Sequence, residues 1–303
     1  MLYSIGVDVG GTKIAVGVVG DDGTVLAHDA IINAEFSDGY ALINAVIEMG
    51  EKLATPVRDK VVVVGCATAG PMEPRGEFVS PLNIRGDKGQ ILWHDFPLRA
   101  QLEEGFSLPT FVDNDCKGLA LGEAWIGGAK GKNNFIAMVV STGVGGGIVL
   151  DGRLLNGRRD NAGHIGHANV IPDGRLCGCG AHGCLEAEIS GPSIFAKTGI
   201  PPEEATPETI EWAGKLLGRA IASAANTLDL NLALVGGSVA LGWGEPFFES
   251  AQREIDKQAM LSFVKGTQVR PVELGNLGGL IGGARIGFIG MEASRPNTTA
   301  SSL

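Results

Sequence analysis

The 303-residue chain predicts an α/β fold built from two related lobes. Three observations carry that prediction. Short apolar strands alternate with stretches of helical periodicity along the chain. A glycine turn follows an apolar strand twice, at Gly10-Gly11-Thr12 and at Ser141-Thr142-Gly143-Val144-Gly145-Gly146-Gly147, which reads as an internal duplication. Glycine supplies 47 of the 303 residues, gathered where strands turn and not in a three-residue period. That placement suits backbone brought close to a ligand.

The composition narrows the function classes. Hydrophobic residues make up 44 %, enough for a sizeable core. A formal net charge of -10 leaves no basic stripe to neutralise nucleic-acid phosphates. It still admits a small anionic substrate held by Mg2+ and backbone N–H groups. Met1-Leu2-Tyr3-Ser4-Ile5 runs into a strand without a basic n-region, so no signal peptide and a cytoplasmic location are expected. Apolar runs such as Val61-Val62-Val63-Val64 are too short to span a membrane.

In chain order, residues 3–9 predict an apolar strand ending near Asp8. Gly10-Gly11-Thr12-Lys13 turns into a second strand, Ile14–Val19, and Gly20-Asp21-Asp22-Gly23 into a third at Thr24–His28. This strand–turn–strand start is not the strand-to-helix start of a dinucleotide fold. Gly10, Gly11 and Thr12 offer N–H groups and a hydroxyl to a phosphate, and Asp8 is a candidate Mg2+ contact, direct or through water. Residues 38–53 carry Leu42, Ile43, Val46, Ile47 and Leu53 at helical spacing. Val61–Ala67 reads as a buried strand whose loop, Thr68-Ala69-Gly70-Pro71, sits where open sheets place ligands. Asn83, in Pro81-Leu82-Asn83, is a turn residue or a substrate contact, and a helix is expected from Pro97 to Glu104.

Phe111-Val112-Asp113 ends a strand and Asn114-Asp115 opens a helix through Leu119, Leu121, Ala124 and Trp125. A carboxylate at such a junction caps the helix or points out as a general base. Phe135–Val140 is an apolar strand leading into the second glycine hairpin, with Thr142 and Gly143 at its tip. Two phosphate loops from two halves suit a nucleotide held in a cleft between lobes. Further on, residues 207–228 predict a helix opened by Pro207, and Leu232–Val235 a strand ending in Gly236-Gly237-Ser238, a turn open enough for a base or ribose. A helix at Pro246–Met260, a strand at Val269–Leu274, a small-residue helix at Leu280–Phe288 and a polar tail at Arg295–Leu303 complete the chain.

Three of the five cysteines fall within Cys177-Gly178-Cys179-Gly180-Ala181-His182-Gly183-Cys184. Without an export signal, that crowding points to a metal before disulfides. His167, Cys177, Cys179 and Cys184 are the chosen tetrahedral set for Zn2+, with His164 and His182 as rival imidazoles. Four protein ligands leave no open position for activated water, so the zinc is expected to be structural.

Together these pieces resemble the ROK family of sugar kinases, within the actin-like ATPase and hexokinase superfamily. The resemblance covers about residues 3–290 and rests on Asp8-Val9-Gly10-Gly11-Thr12-Lys13, Asn114-Asp115, the Ser141–Gly147 hairpin, Gly166-His167 and the run Cys177 to Glu186. It implies a two-lobed actin-like ATPase (ribonuclease H-like) fold with a duplicated sheet core and an interlobe cleft. It implies a smaller lobe over 1–115 completed by a helix at about 280–292, a larger lobe over 116–279 holding the zinc loop 164–186, and a tail over 293–303. Asp115 becomes the general base on the sugar 6-hydroxyl. Asn83, Asn114, His164, His167 and Glu186 surround the sugar. Gly10, Gly11, Thr12, Lys13, Thr142 and Gly143 take the phosphates of ATP, with Asp8 as the Mg2+ contact and Gly236, Gly237 and Ser238 near adenosine. A homodimer or homotetramer is implied, as in relatives.

One position departs from the family pattern. Where the family has Glu-x-Gly-His, this chain has His164-Ile165-Gly166-His167. A carboxylate accepts two hydroxyl hydrogens; an imidazole offers one acceptor at most. Glucokinase activity is the first expectation. The alternatives are a kinase for N-acetylglucosamine or N-acetylmannosamine and a non-catalytic sugar-binding regulator. The donor, ATP or polyphosphate, is open.

Overall fold

The protein is described here by a computed structural model covering residues 1–70, 72–81 and 83–294. Pro71, Leu82 and the Arg295–Leu303 tail, all named above, lie outside the described residues. The chain forms two compact units. One comprises Met1–Gly122 together with the chain from Leu277 onward, and the other Glu123–Asn276.

The first unit begins with β1 (Tyr3–Val9), β2 (Lys13–Gly20) and β3 (Val25–Ile32), followed by α1 (Gly39–Ala54), β4 (Val61–Thr68), α2 (Leu98–Phe106) and β5 (Thr110–Asn114). β3 runs beyond the predicted Thr24–His28. Among the described residues it is an edge strand paired only with β2, so His28 and Asp29 sit in it exposed and hide the apolar alternation from the sequence. α1 forms where its apolar spacing predicts. Asp38 caps it by accepting from the Ala41 N–H at 2.8 Å, and Leu42, Ile43 and Val46 are buried against the sheet core with Ile5, Val7, Ile14 and Val16. Each such side chain contributes roughly 1.5–3 kcal/mol by leaving water.

α3 (Asp115–Ile126) follows β5 directly. In the second unit come β6 (Phe135–Val140), β7 (Val144–Leu150), β8 (Arg153–Leu154), α4 (Leu185–Ile189), α5 (Gly191–Thr198), α6 (Pro207–Leu228), β9 (Leu232–Gly236), α7 (Ser238–Trp243), α8 (Glu245–Gln258) and β10 (Gln268–Pro271). Thr206 caps α6, Pro207 supplies its first residue, and Asp229 ends it in a left-handed conformation. Leu216, Leu217, Ala220 and Ile221 on its inner face join Ile136, Met138 and Val235 in the core.

The predicted duplication is visible in the strand orders. The first sheet runs β3-β2-β1-β4-β5 and the second, read in the matching direction, β8-β7-β6-β9-β10. In each, two antiparallel pairs lead into two parallel ones: β1–β2 and β2–β3 antiparallel, β1–β4 and β4–β5 parallel, repeated as β6–β7, β7–β8, β6–β9 and β9–β10. Both glycine turns therefore occupy the same place, the first hairpin of a sheet. α9 (Gly278–Ser294) returns to the first unit and packs on β1 and β4. No helix among the described residues is long and apolar enough to cross a membrane.

Candidate active site and metal centre

Register places the acidic residues of the first unit. Asp8 on β1 lies opposite Ala67 on β4, and Ala67 opposite Asp113 on β5. These strands are parallel, so the row marks their C-terminal ends, where α/β sheets present ligand groups. Asp115 stands two residues past Asp113, at the start of α3. Asp113 buttresses the junction: its Oδ1 accepts from the Asn114 N–H at 2.8 Å and from the buried Lys117 Nζ at 3.1 Å. Asn114 Oδ1 accepts from the Cys116 N–H at 3.0 Å, and Asp115 Oδ1 accepts from the same group at 2.8 Å. Burial, and then the nearby charge of Asp115, push the Asp8 carboxyl up to about 6, with Lys13 opposing.

The first glycine turn is built on this row. The Gly10 N–H donates to the Lys13 carbonyl at 3.1 Å, leaving Thr12 exposed at the tip. The Asn83 amide lies against Gly11, where a Cβ would sit 2.9 Å from Nδ2. The sequence reading overlooked Asn33. Buried, it donates from Nδ2 to the carbonyls of Gly10 and Gly11 at 3.0 Å each, while its N–H bonds the Thr12 carbonyl at 3.0 Å. Its Oδ1 is buried with no partner among the described residues. Asn33 lies outside any motif, so only the fold brings it to the turn.

In the second unit the hairpin tip, Thr142 and Gly143, lies between β6 and β7. Glu186 on α4 rests against Gly143, and its Oε2 accepts from the Val144 N–H at 2.9 Å. The third glycine turn meets the same hairpin: Gly236 ends β9, Gly237 follows, and Ser238 Oγ lies 2.9 Å from Ser141 Oγ. His164 is exposed, its ring near-parallel to that of His167 with centroids 6.0 Å apart.

One nitrogen of His167 and the sulfurs of Cys177, Cys179 and Cys184 all lie within 4.8 Å of one another. A tetrahedron drawn with zinc-length bonds has edges of roughly 3.7 Å between sulfurs and roughly 3.5 Å from sulfur to imidazole nitrogen. Cys179 Sγ and Cys184 Sγ are 3.7 Å apart, and Cys177 Sγ and His167 Nδ1 are 3.6 Å apart. The donor set thus fits a thiophilic cation. The rival His182 is engaged elsewhere, its Nδ1 facing the Gly174 carbonyl at 3.0 Å. His164 also stands outside the cluster.

The ROK family model matches residues 4–287. The chain belongs to the ROK family. It is 31 % identical over 314 residues to a glucokinase of Halalkalibacterium halodurans, a match covering 93 % of each chain. An N-acetylmannosamine kinase of Yersinia pestis is 35 % identical over 256 residues, 79 % of this chain and 84 % of that one. A solved ROK family glucokinase from Streptomyces griseus, in complex with glucose and AMPPNP, superposes with a TM-score of 0.75 at 27 % identity, covering 95 % of this chain and 99 % of that one. The two matching sheets are the duplicated core of the actin-like ATPase fold, shared with the Streptomyces glucokinase and with a solved ROK hexokinase from Thermus thermophilus (TM-score 0.83, 30 % identity, 97 % of this chain and 100 % of that one).

Proposed function

We propose that the protein transfers the γ-phosphoryl group of ATP to the 6-hydroxyl of a hexose, with glucose as the favoured acceptor. The observation that carries the chemistry is the acidic row at the strand ends, with Asp8 and Asp115 close enough for one charge to raise the other's carboxyl. The glucokinase relatives support the acceptor, and the AMPPNP complex of the Streptomyces enzyme supports the donor.

In this reading Asp115 is the catalytic residue. It orients the primary hydroxyl and takes its proton as the oxygen attacks the γ-phosphorus in line. Backbone N–H groups of Gly11 and Gly143, with the hydroxyls of Thr12 and Thr142 and the charge of Lys13, hold the phosphate oxygens, while Gly10 shapes the turn, its own N–H being bonded to the Lys13 carbonyl. Asp8 would hold Mg2+, which when bound neutralises charge on the transferring group. Asn83, Asn114, His164, His167 and Glu186 orient the sugar; Gly236, Gly237 and Ser238 border the adenosine. His167, Cys177, Cys179 and Cys184 would hold zinc, a structural ion with no open position.

Asp115→Asn is expected to lower kcat by about 10²–10⁴ at unchanged far-UV circular dichroism. Wild-type turnover in that variant would remove Asp115 from the mechanism. A second reading, an N-acetylmannosamine kinase, is favoured by the Yersinia relative. ADP release with MgATP across glucose, mannose, N-acetylglucosamine and N-acetylmannosamine decides between them. Turnover of glucose with N-acetylmannosamine inert supports the first reading, and the reverse supports the second.

A further inference from the structure

Glu186 is placed for more than a sugar hydroxyl. Val144, the first residue after the hairpin tip, is gripped from two sides. Its N–H donates to Glu186 Oε2 at 2.9 Å. Its carbonyl lies against Gly166, where any Cβ would collide with it. Gly166 directly precedes the metal-cluster residue His167, and Glu186 follows Cys184 by two residues. The entry and the exit of the metal loop thus close on one residue of the hairpin. They are also joined to each other, through the Leu185 N–H to the Ala168 carbonyl at 2.9 Å.

The support behind Glu186 is continuous. Its own carbonyl accepts from the Ser190 N–H at 3.2 Å and the Ser193 hydroxyl at 2.9 Å. The Gly191 N–H then donates to the Ser141 carbonyl at 2.8 Å, fixing the other shoulder of the turn. A carboxylate aimed at one backbone N–H is a charge-assisted bond, about twice as strong as a neutral one. Its lone pairs facing Val144 are thereby committed to holding the turn.

We propose that Glu186 is a positioning residue that sets the Ser141–Val144 turn for the nucleotide phosphates, and that the metal loop acts on nucleotide affinity through it. The role rests on the kinase reading above. The test is the affinity of metal-loaded protein for AMPPNP with Mg2+ and no sugar, by calorimetry. Glu186→Ala and Glu186→Asp, the latter keeping the charge but one methylene too short, each weaken binding about tenfold. Glu186→Gln stays within about threefold of wild type, because its amide oxygen accepts the same N–H. Stripping the metal weakens AMPPNP binding in the wild type and adds little in Glu186→Ala, since both changes act on one contact.

Unchanged affinity in the Ala and Asp variants, an equal loss in Gln, or fully additive losses on stripping would each overturn the role. Should Glu186→Ala fail to fold, the Asp and Gln pair decides alone. Wild-type protein that binds no AMPPNP at all would instead sink the kinase reading, and this role with it.

Discussion

Asp8 is a carboxyl group whose protonation the fold changes. An unfolded chain releases its carboxyl proton near 3.8, whereas the folded protein holds it to about 6 because the site is desolvated and faces Asp115. Between those values the folded state binds more protons, so stability falls as pH rises through the window, and the loss is complete above it. The contribution is on the order of 2–3 kcal/mol. Asp8→Asn is therefore expected to gain stability over wild type from pH 4 to pH 7 in Mg2+-free buffer, read by urea unfolding; parallel curves would refute the shift. Asp113 has a structural part in the same row. Beside Asn114-Asp115 it reads from sequence as a cap or a buttress, and its bonds to the Asn114 N–H and buried Lys117 make it the buttress. Asn33 was not legible at all, since a lone asparagine after a strand carries no signal until the fold brings it under Gly10 and Gly11.

At the scale of elements, packing explains where the small residues are spent. α9 lies so close on β4 that a Cβ at Gly65 would collide with the Gly283 carbonyl and the Gly287 N–H. Gly65→Ala is expected to destabilise by about 1–3 kcal/mol, seen as a lowered thermal midpoint. The metal loop is the opposite kind of element, with little core of its own. Among the described residues, buried Cys177 and Cys184 group only with Ala187, so a bound cation would supply the cohesion that apolar burial does not. Chelation is expected to lower the thermal midpoint by more than about 5 °C and to open residues 164–186 to proteolysis, with metal analysis giving about one zinc per chain beforehand. Protein indifferent to the chelator would argue against a structural ion. α4 and α5 were not foreseen from sequence: they are short, and their apolar spacing is interrupted by Glu188 and Ser190.

At the scale of the whole molecule, each unit must hold its chain ends as well as its core. Glu123, where the second unit begins, is fully buried. Its carboxylate accepts from the Gly128 N–H at 2.7 Å and from the N–H groups of Glu273 and Leu274 at 3.0 Å each, near where that unit ends. Glu123→Gln puts an NH2 against one set of donors and is expected to cost at least about 2 kcal/mol in unfolding free energy. An unchanged denaturation midpoint would show that the bonds are dispensable.

What the sequence determined by itself was local and periodic. The duplicated glycine turns, the apolar strands that lead into them and the Cys177–Cys184 run announce themselves because strand alternation, turn chemistry and chelate spacing are properties of neighbouring residues. They were enough to reach the fold class and the family. Tertiary structure alone decided the rest. It aligned Asp8, Ala67 and Asp113 across parallel strands distant in the chain, brought the imidazole of His167, the one chosen from sequence, to the three sulfurs, and turned Glu186 toward the Val144 N–H. Those choices depend on register and on the direction of single side chains, which no local pattern fixes.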